Sequence, residues 1–278
     1  MKKLFSILGL LGFAVIVTAC NPQTTSFDLE TETEIVVGLE AAYAPFNWST
    51  PTENDFTVAI DGQTGMFADG FDIVMAQAIA DDLGLTLVIK AIEWDGLIPA
   101  LLAGEIDLIV AGMSPTAERS QTIAFSDSYY ASEQVMVVRT DGDYANATTL
   151  ADFDGASVVA QLGTLQDDLI DQITNVDHMS ALDDYATLTT SLLSNASDAF
   201  VAELPVAQGI VAANPDTLTL IRFADGDGFD VTIEDVTVAV GLRQEDTNLL
   251  AAINDALNAI TTETRNSYME DALNRQPS

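Results

Sequence analysis

Residues 70–89 read GFDIVMAQAIADDLGLTLVI, and this stretch decides the fold. Phe71, Val74, Met75, Ala78 and Ile79 recur at helical spacing on one face. Gly84 stands just past them, where a glycine closes a helix. Residues 85–89 are then apolar throughout except Thr86, as in a buried strand. Upstream, Ile35-Val36-Val37-Gly38-Leu39 is another buried strand, followed by a long polar stretch up to Gly70. Downstream, residues 94–103 read as a helix ended by Gly104, and 107–111 as a third strand. Strand and helix alternate, so the sheet is expected to be mostly parallel. Ligands of such sheets sit beyond the carboxyl ends of the strands. The loops after Leu39, Ile89 and Ala111 are therefore the places to look.

A second block follows. Strands are expected over 135–138, 157–160, 199–202 and 236–242, and helices over 183–193, 205–213 and 249–273. Asp225-Gly226-Asp227-Gly228 is a loop. No short-period repeat is present. Two α/β blocks with a final helical return fit two lobes with a cleft between them.

The N-terminus carries a different signal. Lys2 and Lys3 precede an almost wholly apolar run, and Val17-Thr18-Ala19-Cys20 ends it with small residues before the only cysteine. This is a secretory signal with a cleavage site, too short for a span of roughly 20 apolar residues. It resembles the lipobox of bacterial lipoproteins, in which the cysteine is lipidated and becomes the new N-terminus. Residues 1–20 are then the signal peptide and 21–34, polar and aperiodic, a flexible tether. A lone cysteine excludes an intramolecular disulfide and any cysteine-cluster metal site.

The chain has 278 residues, 48% of them hydrophobic, and a formal net charge of −34. Its length suits one or two domains, and its apolar content excludes disorder. Such a negative field argues against nucleic acid, whose phosphates need clustered Lys and Arg. At long range it favours cations over anions, or it serves solubility alone.

The residues after the strands resemble the solute-binding proteins (family 3) of polar amino acid ABC transporters. Residues 38–48, GLEAAYAPFNW, are similar to the family's opening motif, as are Gly70-Phe71-Asp72, WDGLIPAL at 94–101 and GEID at 104–107. GMSPTAER at 112–119, FSDSYY at 125–130, Gln161-Leu162-Gly163-Thr164 and DAFVAELP at 198–205 follow in the family's order. The resemblance implies a type II periplasmic-binding-protein fold, α/β, with two lobes joined by two hinge strands and the ligand in the cleft. Lobe 1 is expected over 35–134 and 236–278, lobe 2 over 135–235, and the hinges near 132–135 and 236–240. It also implies a monomer without cofactor or metal. That monomer is tethered by Cys20 at the outer face of the membrane of a Gram-positive-type bacterium and hands its amino acid to permease and ATPase subunits.

An amino acid offers a carboxylate, an ammonium and a side chain. Arg119 is the only cation between residues 91 and 138, and its fork matches a carboxylate bidentately. By the resemblance it holds the α-carboxylate, with Ser114, Thr164 and nearby backbone N–H groups; otherwise it is a surface arginine paired with Glu118 or Asp127. Glu203 stands where the family usually has aspartate, which with the Gly112 carbonyl takes the ammonium. Tyr43, Phe46 and Trp94 are expected to sandwich the ligand, or to be core aromatics. Leu165 joins Thr164 at the cleft, and Gln161 with Gln166 reads the side chain. Glu40 marks specificity: an acid there accompanies lysine and arginine binding in the family. The best reading is thus a basic amino acid (arginine, lysine or ornithine), with glutamine, histidine or cystine as alternatives.

Other motifs are weaker. His178, the only histidine, has no recognisable triad and reads as solvated. The Asp/Gly loop at 225–228 lacks the distal Glu of a calcium loop and reads as a turn. The same fold also hosts enzymes such as cyclohexadienyl dehydratase relatives, and sensory binding modules. No acid or base is left over once the amino acid's charges are matched, so an enzyme is not expected.

Overall fold

The computed structural model describes residues 26–277. The signal segment, Cys20 and the start of the tether lie outside the described residues. No described helix is long and apolar enough to cross a membrane.

The first lobe is built on a five-stranded sheet. Its strands are β1 (Glu34–Leu39), β6 (Thr86–Ala91), β7 (Leu108–Ile109), β8 (Ala124–Ala131) and β14 (Thr237–Leu242), in the order β6-β1-β7-β14-β8. β1 runs parallel to β6 and β7, while β14 is antiparallel to β7 and β8. Val37, Leu39, Ile89 and Ile109 are fully buried. Strands covered on both faces read as continuous apolar runs, which is why these were visible in the sequence.

Helix α1 (Phe71–Leu83) ends on Gly84 in the left-handed conformation, as its spacing predicts. Its most buried residues include Asp72, Ile73, Ala76 and Ala80, whereas Val74 and Ala78 are only half-buried. Phe71, Met75 and Ile79 of the expected stripe are buried, and the buried face extends beyond it because α1 packs on its sheet and also under α6 (Thr247–Ala259) and α7 (Thr262–Arg275). The helix expected over 249–273 is in fact these two. Thr261 breaks it, its hydroxyl capping α7 by accepting from the Thr264 N–H at 3.2 Å. The helix expected over 94–103 opens with one 3-10 turn over Trp94–Gly96 before α2 (Leu97–Ala103).

The polar stretch before Gly70 holds a small antiparallel sheet. Its strands β2 (Ala42–Tyr43), β3 (Asn47–Thr50), β4 (Val58–Ala59) and β5 (Phe67–Asp69) are ordered β2-β3-β5-β4. Segments of two to four residues are too short to show a period. Contacts with the body of the protein also begin before Ile35. The Phe27 N–H donates to Asp246 Oδ1 at 2.7 Å, and Phe27 and Leu29 pack on the core.

The second lobe repeats the plan. β9 (Gln134–Arg139), β10 (Ser157–Val159), β11 (Asp177–His178), β12 (Ala199–Glu203) and β13 (Leu218–Ile221) are ordered β11-β10-β12-β9-β13. Here β10 is parallel to β11 and β12, and β9 antiparallel to β12 and β13. Helices α3 (Leu165–Ile170), α4 (Tyr185–Leu193) and α5 (Leu204–Ala213) cover this sheet. The chain crosses between the sheets after β8 and again before β14, and a Ser132 N–H to Val236 C=O bond of 2.7 Å ties the crossings together.

Candidate functional site

The carboxyl ends of the parallel strands of both sheets meet at a narrow cavity. From the first lobe, Tyr43, Trp94, Gly112, Ser114 and Arg119 line it, supplied by β2 and by the loops after β6 and β7. The second lobe contributes Gln161, Thr164, Leu165 and Gln166 after β10, Tyr185 at the start of α4, and Glu203 at the end of β12. Of the residues expected at the site from the sequence, all line the cavity except Glu40, which is bonded to Gln161, and Phe46, which stands behind Tyr43.

Phe46 is fully buried and does not reach the cavity. The β2–β3 turn directs it inward, where its ring stacks behind Tyr43 (5.2 Å, 9° between planes) and meets Phe71 and Tyr130 edge-on. Its expected place in the ligand wall is thereby corrected: it backs the wall.

Contacts join the lobes around the cavity. The Tyr43 hydroxyl donates to Glu203 Oε2. Gln161 Nε2 donates to Glu40 Oε1 at 2.8 Å and to the Asp183 carbonyl at 2.9 Å. Trp94 Nε1 donates to the Gly163 carbonyl at 3.0 Å, and Arg119 Nη2 reaches the same oxygen at 3.3 Å. Arg119 Nη1 donates to the Ser114 carbonyl at 3.0 Å, and the guanidinium lies 5.1 Å from the centre of the Trp94 ring. Arg119 forms no ion pair with Glu118 or Asp127 among the described residues, so the surface-pair alternative is not what the structure holds.

Three ionisable groups set the local field. Burial pushes the Glu203 carboxyl up to about 7, against the lowering effect of the Tyr43 hydrogen bond. Burial likewise pushes Glu40 up to about 7; the Gln161 bond opposes this, and the charges of Glu93 and Asp184 add to it. Burial lowers Arg119, while the nearby charges of Glu203 and Asp168 oppose that shift. An arginine stays charged in either case.

The sequence did not single out what braces the first lobe's loops. Asp72, fully buried in the first turn of α1, accepts from Tyr129 Oη at 2.7 Å and from Asn47 Nδ2 at 2.8 Å. Tyr129 Oη in turn accepts from the Gly112 N–H (3.3 Å), and Asn47 Oδ1 from the Ala41 N–H (2.8 Å). The loops after β1 and β7 are thus fixed to one carboxylate, which burial raises to about 6. Gly112 has φ +61, and a Cβ there would lie 2.8 Å from Tyr43 Cε1, so this backbone reaches the cavity only as glycine. Asp72 shows in the sequence only as part of the Gly70-Phe71-Asp72 motif, with no role of its own among 43 acids, and Tyr185 only as an aromatic at a helix start.

His178 is not simply solvated. It lies outside the cavity, its ring nitrogens 3.0 Å from Asp167 and 2.9 Å from Asp171. Partial burial would lower the imidazole, but the hydrogen bonds and charges of the two aspartates outweigh it and raise it. The Asp/Gly loop makes a turn, with the Asp227 N–H donating to the Ala224 carbonyl. No group of three metal-ligating side chains occurs among the described residues.

The sequence profile of the bacterial extracellular solute-binding proteins, family 3, matches residues 35–271. A "probable histidine-binding protein" of Campylobacter jejuni is 30% identical over 84% of this chain and 87% of its own. An arginine-binding extracellular protein of Bacillus subtilis is 27% identical over 92% of each chain. An amino acid ABC transporter substrate-binding protein of Streptococcus pneumoniae, solved with L-arginine, superposes with a TM-score of 0.74. It is 27% identical, with 88% of this chain and 96% of that one covered.

Proposed function

Since this chain belongs to the bacterial extracellular solute-binding proteins, family 3, we propose that it captures a free amino acid with a cationic side chain and delivers it to the permease of an ABC importer. One observation carries the reading. Arg119 and Glu203, from opposite lobes, line a single cavity, and a second buried acid, Glu40, borders it. Arg119 suits the α-carboxylate and Glu203 the α-ammonium. Glu40 is then left to pair with a cation. A zwitterion with a neutral side chain leaves that buried carboxylate without a countercharge, and buried charges are costly unless paired. The groove at this end of the cleft, lined by Glu93, Asp95, Asp183 and Asp184, adds to the same field. The hinge crossings at 132–133 and before β14 let the lobes close on the ligand. Anchoring through Cys20 keeps the protein beside its permease. The chain binds and does not turn over its ligand.

The test is a thermal-shift screen of common amino acids on the chain from Asn21 onward, followed by calorimetry. Glu40→Gln is expected to weaken arginine, lysine and ornithine by on the order of 30-fold or more while sparing neutral ligands. Equal losses for both kinds would remove the specificity argument. Gln161 already donates to Glu40, and this favours one second reading: a neutral polar amino acid read by that pair. A shift with glutamine, histidine or cystine alone would select it.

The buried acids also set a pH response of opposite sign for folding and for binding. Glu40 and Glu203 take up protons in the folded chain at about 7, against ordinary values of 4.5. Between those limits the folded state binds more protons than the unfolded one, so stability falls as pH rises. Acidifying the ligand-free protein from pH 7.5 to 5.5 is therefore expected to raise its Tm. Over the same interval affinity for a basic amino acid is expected to fall, because protons compete for both carboxylates. A Tm that drops on acidification would contradict the burial of these acids.

A further inference from the structure

Tyr185 carries a phenol hydroxyl that the site as described leaves unused. The residue is 5% exposed, lines the cavity, and its Oη finds no hydrogen-bond partner among the described residues. The ring is well held. Asp184 caps α4 by accepting from the Thr187 N–H at 2.7 Å, fixing the first turn. The ring meets Phe200 edge-on at 6.2 Å and lies tilted against Tyr43 of the other lobe at 5.1 Å. A phenylalanine would pack as well. The hydroxyl adds only a buried polar atom, which destabilises the protein unless something pairs with it.

Its surroundings indicate the partner. Tyr43 commits its own proton to Glu203 and lies close enough for the two phenols to perturb each other, yet Tyr185 Oη meets no donor or acceptor at full hydrogen-bond geometry. The Tyr185 phenol thus sits beside the carboxylate assigned to the ammonium. An ammonium has three N–H donors. Glu203 and the Gly112 carbonyl accept two. We propose that the Tyr185 hydroxyl is the third acceptor for the ligand's α-ammonium, a contact made from the second lobe while Arg119 holds the carboxylate from the first. This rests on the reading of the cavity as an amino-acid site. A phenol suits the place because it accepts without adding negative charge. Burial and the charges of Glu203 and Glu40 push its pKa up, against the lowering effect of the neighbouring Tyr43 hydroxyl, and keep it protonated.

Tyr185→Phe removes the oxygen and keeps the ring. Calorimetry of both proteins with L-arginine and L-glutamine tests the assignment, with ligand-free Tm measured alongside. The expected result is a loss of about five- to fifty-fold, by the same factor for each ligand that the wild type binds, with Tm unchanged or higher. Unchanged affinity overturns the inference and leaves the amino-acid reading intact. So does a loss confined to arginine, which would put the hydroxyl at the side chain, or a lowered Tm, which would make its role one of packing. If the wild type binds no amino acid, the reading fails and takes the inference with it.

Discussion

Arg119→Ala is expected to abolish binding of every amino acid, lowering affinity on the order of 10²–10³-fold whatever the side chain. The guanidinium is half-buried in the cleft against Trp94 and oriented by the Ser114 and Gly163 carbonyls. Those two bonds use only part of its five-donor fork. Alanine would leave the ligand's carboxylate desolvated with no cation to meet it. Lysine supplies charge without the planar fork and should recover only part of the loss. The ligand-free Tm should hardly fall, because the variant also removes a desolvated charge. Calorimetry with arginine and glutamine reads the result, and unchanged affinity for either would take Arg119 out of the carboxylate role.

The largest loss of stability is expected from Gly70→Ala. Gly70 precedes α1 with φ 136, a conformation side chains rarely adopt. A Cβ there would overlap the Phe46 carbonyl oxygen and lie 2.8 Å from Asn47 Cα. Both neighbours are backbone, and neither is free to give way. The N–H groups of Phe71 and Asp72 donate to the carbonyls of Pro45 and Phe46, at 3.0 and 2.8 Å. The β2–β3 turn is therefore laid flat on the start of the helix. Strain there should cost about 2–4 kcal/mol, or roughly 5–15 °C in Tm for a chain of this size. Ligand affinity should fall as well, since the shift pulls Asn47 away from Asp72. A Tm within a degree of wild type would show that the turn can slide.

What the sequence could show follows from how each residue signals. Strands such as 35–39 were legible because burial on both faces makes them wholly apolar. The β2–β5 sheet was not, because its strands are too short for a period. Arg119 stood out as the one cation in a long span, and Glu203 through its place between a buried strand and Pro205. Tyr185 and Asp72 gave no such contrast. An aromatic opening a helix looks like core, and an aspartate in a chain this acidic looks like surface. Phe46 misled for a related reason: a pattern of aromatics around a turn does not say which ring faces the ligand and which stands behind it.

The strand orders also bear on how the protein is made. The second sheet takes all its strands from one continuous stretch, β9 to β13. Once residue 230 has been synthesised, that half has its whole sheet and also Phe223 and Phe229, which pack on its core. The first sheet is different, because β14 is wedged between β7 and β8 and arrives more than a hundred residues after its neighbours. Until then β7 and β8 have no strand between them, and closing so long a loop is slow. The half that begins the chain is consequently the last to be completed, and a nascent chain remains partly unfolded until its final segment emerges.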